Sequence, residues 1–198
     1  MAMKILCFGD SNTFGYDPRD VFASRYDTND RWPDILCRQT GWEVINAGQN
    51  GRQIPHRSFE LANALPTIDS HRADLVIVML GTNDLLEGEA PDAVAKRMET
   101  FLSRLSGEIL LVSPPALQRG AWVGTDALVQ RSRLLGSAYR TVADRLGIGF
   151  ADAALWDVEL AFDGVHFTPA GHHRFAHQLL PLLTAAAGRK ETPWDISP

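Results

Sequence analysis

Residues 74–84 read Asp74-Leu75-Val76-Ile77-Val78-Met79-Leu80-Gly81-Thr82-Asn83-Asp84, and this stretch decides the fold. Leu75 through Leu80 are apolar without a break, and Val76, Ile77 and Val78 are β-branched in succession. Nothing alternates with polar residues, so neither face of the segment is meant for water. A short, uniformly apolar and β-branched run is the pattern of a central strand in a parallel sheet covered on both sides. Gly81 and the polar residues after it stop the run.

Working outward, the same alternation recurs along the chain. Residues 4–8 form a second buried strand, and residues 43–46 and 108–112 two more. A fifth strand is expected at 148–151. Helices are expected between them. Residues 31–40 carry Pro33 in the first turn and Gly41 as a stop. Residues 56–71 form a weaker helical segment, complicated by Pro66. In 91–105, Val94, Met98, Phe101, Leu102 and Leu105 line one face. Residues 126–146 have Asp126 as N-cap and Gly147 just past the end, and 168–187 have Thr168 as N-cap with Pro169 at the first helical position. Five strand–helix alternations joined by right-handed crossovers imply an α/β protein, a three-layer α/β/α sandwich with one parallel sheet. Residues 1–187 are expected to be a single domain and 188–198 a poorly ordered tail.

Composition limits the function classes. The chain has 198 residues, 45% hydrophobic and 22% charged, which is ordinary for a folded domain. Its net charge is −5 and no long basic run occurs, which argues against nucleic-acid and anionic-membrane partners. Cys7 and Cys37 are isolated, giving neither a disulfide framework nor a zinc spacing. Residues 5–8 are too short for a signal-peptide core, and no run approaches the ~18 apolar residues of a membrane span. The cytoplasm is the expected location.

Ligands of a parallel sheet bind outside the carboxyl ends of its strands. The polar clusters fall there. Gly9-Asp10-Ser11-Asn12 follows the first strand, 46–51 the second and Gly81-Thr82-Asn83-Asp84 the third, while Asp163-Gly164-Val165-His166 precedes the last helix. Ser11 needs a base before its hydroxyl is a useful nucleophile. With two residues between them, Asp163 and His166 fit in one tight turn, the carboxylate orienting the ring while the other nitrogen faces Ser11. Ser11 N–H, Gly51 N–H and the Asn83 amide are the candidate donors to an oxyanion. Asp10 is expected to brace the turn, and Asn12, Thr82 and Val165 to line the substrate site. Each signal has a plainer reading as turn, cap or Asx motif. Their joint order along the chain favours chemistry.

These four clusters resemble the sequence blocks of the SGNH (GDSL) hydrolase family, over nearly the whole chain from Lys4 to about Leu183. The resemblance implies a flavodoxin-like sheet of order 2-1-3-4-5. It also implies a triad of Ser11, Asp163 and His166 and an oxyanion hole of Ser11, Gly51 and Asn83. No cofactor or metal is expected. In the second block, Asn46-Ala47-Gly48-Gln49-Asn50-Gly51, Gly48 competes with Gly51, and the spacing from Asn46 fits Gly51 better. Arg31-Trp32-Pro33, residues 74–84 and Val112-Ser113-Pro114-Pro115 are most similar to the bacterial aryl esterase/acyltransferase (perhydrolase) group, although residues 54–72 are shorter here. The expected activity is hydrolysis of short acyl, acetyl or aryl esters through an acyl-enzyme on Ser11, with acyl transfer to alcohols or peroxide also open.

Rival readings remain. Thioesters and lysophospholipids are alternative substrates. A non-catalytic acyl-ester or carbohydrate binder on the same fold is a further alternative. His172, His173 and His177 would suggest a metal, but His-Glu-x-x-His is absent. A nucleotide module lacks its glycine motif, and an α/β-hydrolase lacks Gly-x-Ser-x-Gly. The partner expected is a small-molecule ester, with homo-oligomerisation left open.

Overall fold

The computed structural model describes residues 3–188 apart from Val21 and Ala23, so most of the expected tail lies outside the described residues. Five strands, β1 (Lys4–Gly9), β2 (Glu43–Gly48), β3 (Leu75–Met79), β4 (Glu108–Ser113) and β5 (Gly149–Asp152), form one parallel sheet of order β2-β1-β3-β4-β5. The strands sit where the apolar runs place them.

Successive residues of a strand point to opposite faces, and the core divides accordingly. Leu6, Phe8, Val76 and Val78 meet α3 (Ser58–Ser70), α5 (Pro91–Leu102) and α6 (Asp126–Leu146) on one face. Ile5, Cys7, Ile77 and Met79 meet α2 (Trp32–Thr40) and α7 (Pro169–Ala187) on the other. The three layers expected from the sequence are present.

Register decides where the site falls. Gly9 pairs with Gly48 on one side and Met79 on the other, so β1, β2 and β3 end at one level. Two single-turn helices begin just beyond that level, α1 (Ser11–Phe14) and α4 (Thr82–Leu86). Neither is legible in the sequence. Both are too short to show a periodic pattern, and both start inside the polar clusters.

Some helix details differ from expectation. The N-cap of α6 is Thr125, not Asp126: Thr125 is extended, and its hydroxyl accepts from the Leu128 N–H at 3.3 Å. Asp126 is the first helical residue and pairs with Arg119 at 3.4 Å. Helix α5 ends at Leu102, short of Leu105. Helix α3 runs through Pro66, which lies on its exposed side.

Gly81 joins β3 to α4 with φ +117°, a conformation that L side chains rarely adopt. The Tyr139 hydroxyl donates to Leu80 O at 3.0 Å, and a Cβ on Gly81 would lie 2.5 Å from that hydroxyl. Backbone strain and steric conflict act together at this position. Gly81→Ala is expected to destabilise the fold by roughly 2–4 kcal/mol, measured by urea unfolding, with a change below ~1 kcal/mol counting against this account.

Candidate active site

Ser11 opens α1, where Asp10 is the N-cap: its carboxylate accepts from the Asn12 N–H at 2.9 Å, and Gly15 ends the turn with φ 89°. The turn presents the Ser11 hydroxyl at the carboxyl edge of the sheet. His166 reaches the same point from the far end of the chain. Its Nε2 lies 3.0 Å from Ser11 Oγ, and its Nδ1 lies 2.6 Å from Asp163 Oδ2. A carboxylate can only accept, so Nδ1 carries the proton and Nε2 is free to accept from the serine hydroxyl. Asp163 Oδ1 also accepts from the N–H groups of Val165 and His166, at 2.9 and 3.0 Å. Burial pushes the Asp163 carboxyl up, but the His166 ring and these backbone donors more than offset it, so its pKa lies below the ordinary 3.8. Ser11 is 6% exposed and His166 3%, so the hydrogen-bonded line is largely withdrawn from water.

Neither the Ser11 N–H nor the Gly51 N–H has an acceptor among the described residues. The Asn83 amide donates to Arg52 O at 3.0 Å, which uses one of its two hydrogens. Gly48 differs. Its N–H is taken by Asn46 Oδ1 at 2.9 Å, and a Cβ there would lie 2.1 Å from Phe14 N. Gly48 is therefore a close-packing residue under α1, while Gly51, with φ 70°, stands open.

Asp10 is deeply buried, and desolvation raises its carboxyl to about 6 against the pull of the Asn12 N–H, His166 and Arg52. Asp84 is also fully buried. It accepts from Ile54 N at 3.1 Å and from Arg97 at 3.2 Å, so it ties the loop after β2 to α4.

Two expected substrate-lining residues do other work. The Asn12 side chain is buried and engaged at both ends: Nδ2 donates to Val165 O at 3.1 Å and Oδ1 accepts from Phe167 N at 2.9 Å. It bridges the serine turn to the histidine loop. The Val165 side chain packs with Leu117, Val123 and Val129 in a small separate cluster. Thr82, the first residue of α4, is buried next to Asn83.

Several site residues escaped the sequence reading. The Tyr16 ring lies 4.6 Å from the His166 ring, and Trp122 meets the same imidazole edge-on at 5.0 Å. Trp122 is 55% exposed and belongs to the loop between β4 and α6. That loop meshes with the histidine turn: Gln118 N, Ala121 N and Trp122 N donate to Gly164 O, Phe162 O and Asp163 O. A Cβ on Gly120 would lie 2.3 Å from Asp163 C, and one on Gly164 2.0 Å from Gln118 O. The length of this loop and its Gly-Ala-Trp sequence at the carboxyl edge were the available signal.

The histidines of α7 are dispersed. His172 is buried against Tyr26 and Phe167, with Nδ1 3.4 Å from Trp32 N. His173 pairs with Asp30 at 3.2 Å, and His177 is exposed. Among the described residues no group of three His, Cys, Asp or Glu side chains is placed to hold a metal ion, and no helix is long and apolar enough to cross a membrane.

A doubly wound parallel sheet with this serine–histidine–aspartate line at its carboxyl edge defines the class, that of the carboxylic ester hydrolases. The chain belongs to the GDSL-like lipase/acylhydrolase family, whose model matches residues 7–174. Among solved structures, the native aryl esterase of M. smegmatis is similar at 26% identity and TM-score 0.83, over 92% of this chain and 99% of that one. A carbohydrate acetylesterase family member from Sinorhizobium meliloti is similar at 28% identity and TM-score 0.79, over 91% and 97%. A comparison with curated proteins gave no match.

Two outcomes follow. Asn12→Ala leaves the Val165 carbonyl and the Phe167 N–H buried without partners, and is expected to cost ~2–4 kcal/mol in urea unfolding; a loss under ~0.5 kcal/mol would contradict the bridging role. His172 is held down to about 3 by burial first, then by the charges of His173, Arg31 and His166, against an ordinary 6.5. The unfolded chain therefore binds this proton more readily, and His172 makes stability fall as pH drops from about 6.5 towards 3. His172→Gln should flatten that part of the stability–pH curve, measured by denaturant titration at a series of pH values.

Proposed function

We propose that the protein hydrolyses small carboxylic esters through an acyl-enzyme on Ser11. The observation that carries this reading is the continuous line from Asp163 through His166 to Ser11, with contacts of 2.6 and 3.0 Å. Ser11 Oγ attacks the ester carbonyl as His166 Nε2 takes its proton. Asp163 stabilises the imidazolium and keeps the ring in the required tautomer. The developing oxyanion accepts from Ser11 N–H, Gly51 N–H and the second hydrogen of the Asn83 amide, each such donor contributing ~3 kcal/mol to barrier lowering in comparable sites. Collapse of the tetrahedral intermediate breaks the bond to the alcohol oxygen, which receives the proton from Nε2. Water then gives its proton to His166, attacks the acyl-enzyme, and the acid departs as Ser11 regains its hydrogen. An alcohol or a peroxide in the place of water gives acyl transfer.

The leaving oxygen has to come within hydrogen-bond reach of His166 Nε2, so its substituent lies close to the rings that flank the imidazole. Tyr16 and the exposed Trp122 offer flat apolar surface there, which suits an aryl group or a sugar ring. The names of the similar structures, an aryl esterase and a carbohydrate acetylesterase family member, support the same substrate classes. Thr82, Tyr16 and Trp122 are the side chains we assign to the substrate site, with short acyl groups favoured. The two free thiols, Cys7 and Cys37, suit the reducing cytoplasm that we take as the working compartment.

Hydrolysis of p-nitrophenyl esters from acetyl to decanoyl tests both levels. Ser11→Ala and His166→Ala are each expected to lower kcat/KM at least ~10³-fold with melting temperature held. Near-normal turnover in either variant would overturn the assignment, and kcat/KM rising towards decanoyl would overturn the short-acyl reading. Failure of a fluorophosphonate probe to label Ser11 in the native protein would leave only a binder.

A further inference from the structure

Arg52 lies between the segments that carry the three proposed oxyanion donors, and it touches each of them. Its Nη1 donates to Gly9 O at 2.8 Å, at the end of the strand that leads into Ser11, and also to Ala47 O in β2. Its Nη2 donates to Gln49 Oε1 at 3.0 Å, closing the turn that contains Gly51. Its own carbonyl accepts from the Asn83 amide at 3.0 Å. The guanidinium lies over the Phe8 ring, 4.1 Å from the centroid, so that it is held from below as well.

The partners of this cation are uncharged. Arg52 forms no ion pair among the described residues, and its burial pulls the guanidinium down to about 10, with Asp10 as the opposing influence. Burying a cation against carbonyl oxygens is a poor way to gain stability, because desolvation opposes the attraction. What a planar fork gives that an apolar side chain cannot is geometry: fixed donors that lock two carbonyls and one amide in a set arrangement. The loop after β2 has few other anchors. Asp84 accepts from Ile54 N and Gln49 N donates to Gly9 O, but neither contact acts on Gly51 and Asn83 together.

We propose that Arg52 is a positioning residue for ester hydrolysis: its guanidinium and its carbonyl together hold the Gly51 N–H and the Asn83 amide at the separation from Ser11 that a tetrahedral oxyanion requires. The inference rests on the roles given above to Ser11, Gly51 and Asn83. A displaced donor still permits substrate to bind but no longer meets the charge as it develops, so the effect belongs in kcat.

The test is a double-mutant cycle of Arg52→Met with Asn83→Ala, read as kcat and KM on p-nitrophenyl acetate, with Arg52→Lys as the conservative variant. Arg52→Met is expected to lower kcat about tenfold or more with KM within about twofold, and Arg52→Lys to fall between it and the native protein. In the Asn83→Ala background the same substitution should cost clearly less, about threefold or under, because one of the donors it positions is already gone. Equal fold-losses in both backgrounds, or a rise in KM with kcat held, would overturn the proposal. Should Arg52→Met lose its cooperative melting transition, Gln49→Leu frees Nη2 without stranding a buried group, and the same coupling to Asn83→Ala decides the matter. Ser11→Ala is run alongside. Activity surviving in that variant removes the reading of the site itself, whereas a Ser11-dependent enzyme without coupling removes only the role of Arg52.

Discussion

The site exists because β1, β2 and β3 end at the same level. Pairing of Gly9 with both Gly48 and Met79 brings three loops, distant in sequence, to one line across the sheet edge. A slip of one residue in either pairing would turn every side chain of a strand to the wrong face and expose the apolar set that packs on the helices. The cost of such a slip across a core in which Ile5, Leu6, Ile77 and Val78 are all fully buried fixes the register firmly. The position of Ser11 relative to Gly51 and Asn83 is thus a consequence of hydrophobic burial in strands that take no part in the chemistry.

Upon that frame the polar groups are placed by mutual satisfaction. Asn12 uses both ends of its amide on the histidine loop, Asp163 accepts three hydrogen bonds, and Asp84 joins the loop after β2 to α4. A buried polar atom without a partner is costly, so each bridge has few alternatives. Among the described residues the Ser11 and Gly51 N–H groups have no acceptor. Close approach of backbones does the remaining work, since Gly48, Gly120 and Gly164 each occupy a point where a Cβ would strike another segment's main chain.

Much of this was legible in the residues. The apolar runs and helix stops fix the order of elements, because burial and chain geometry act locally and leave a periodic trace. Three polar clusters at strand ends and one before the last helix bring forward Ser11, Gly51, Asn83, Asp163 and His166 as candidates. Asn12 and Val165 were misread because proximity to Ser11 and His166 in sequence says nothing about which way a side chain turns. Asn12 points back into the protein to meet two backbone groups, and Val165 packs beneath the loop. The Thr125 cap was missed in favour of Asp126 because both residue types cap helices, and only the backbone angles distinguish them.

By itself the sequence determined the class of fold and the chemical types gathered at one edge of the sheet, since hydrophobic periodicity and turn chemistry are properties of neighbouring residues. Tertiary structure alone decided that Gly48 packs while Gly51 stays open, that Tyr16 and Trp122 flank the imidazole, and that Arg52 spans the three donor segments. These are relations between residues far apart in the chain. They depend on how strands register and loops mesh in space, and no local pattern encodes them.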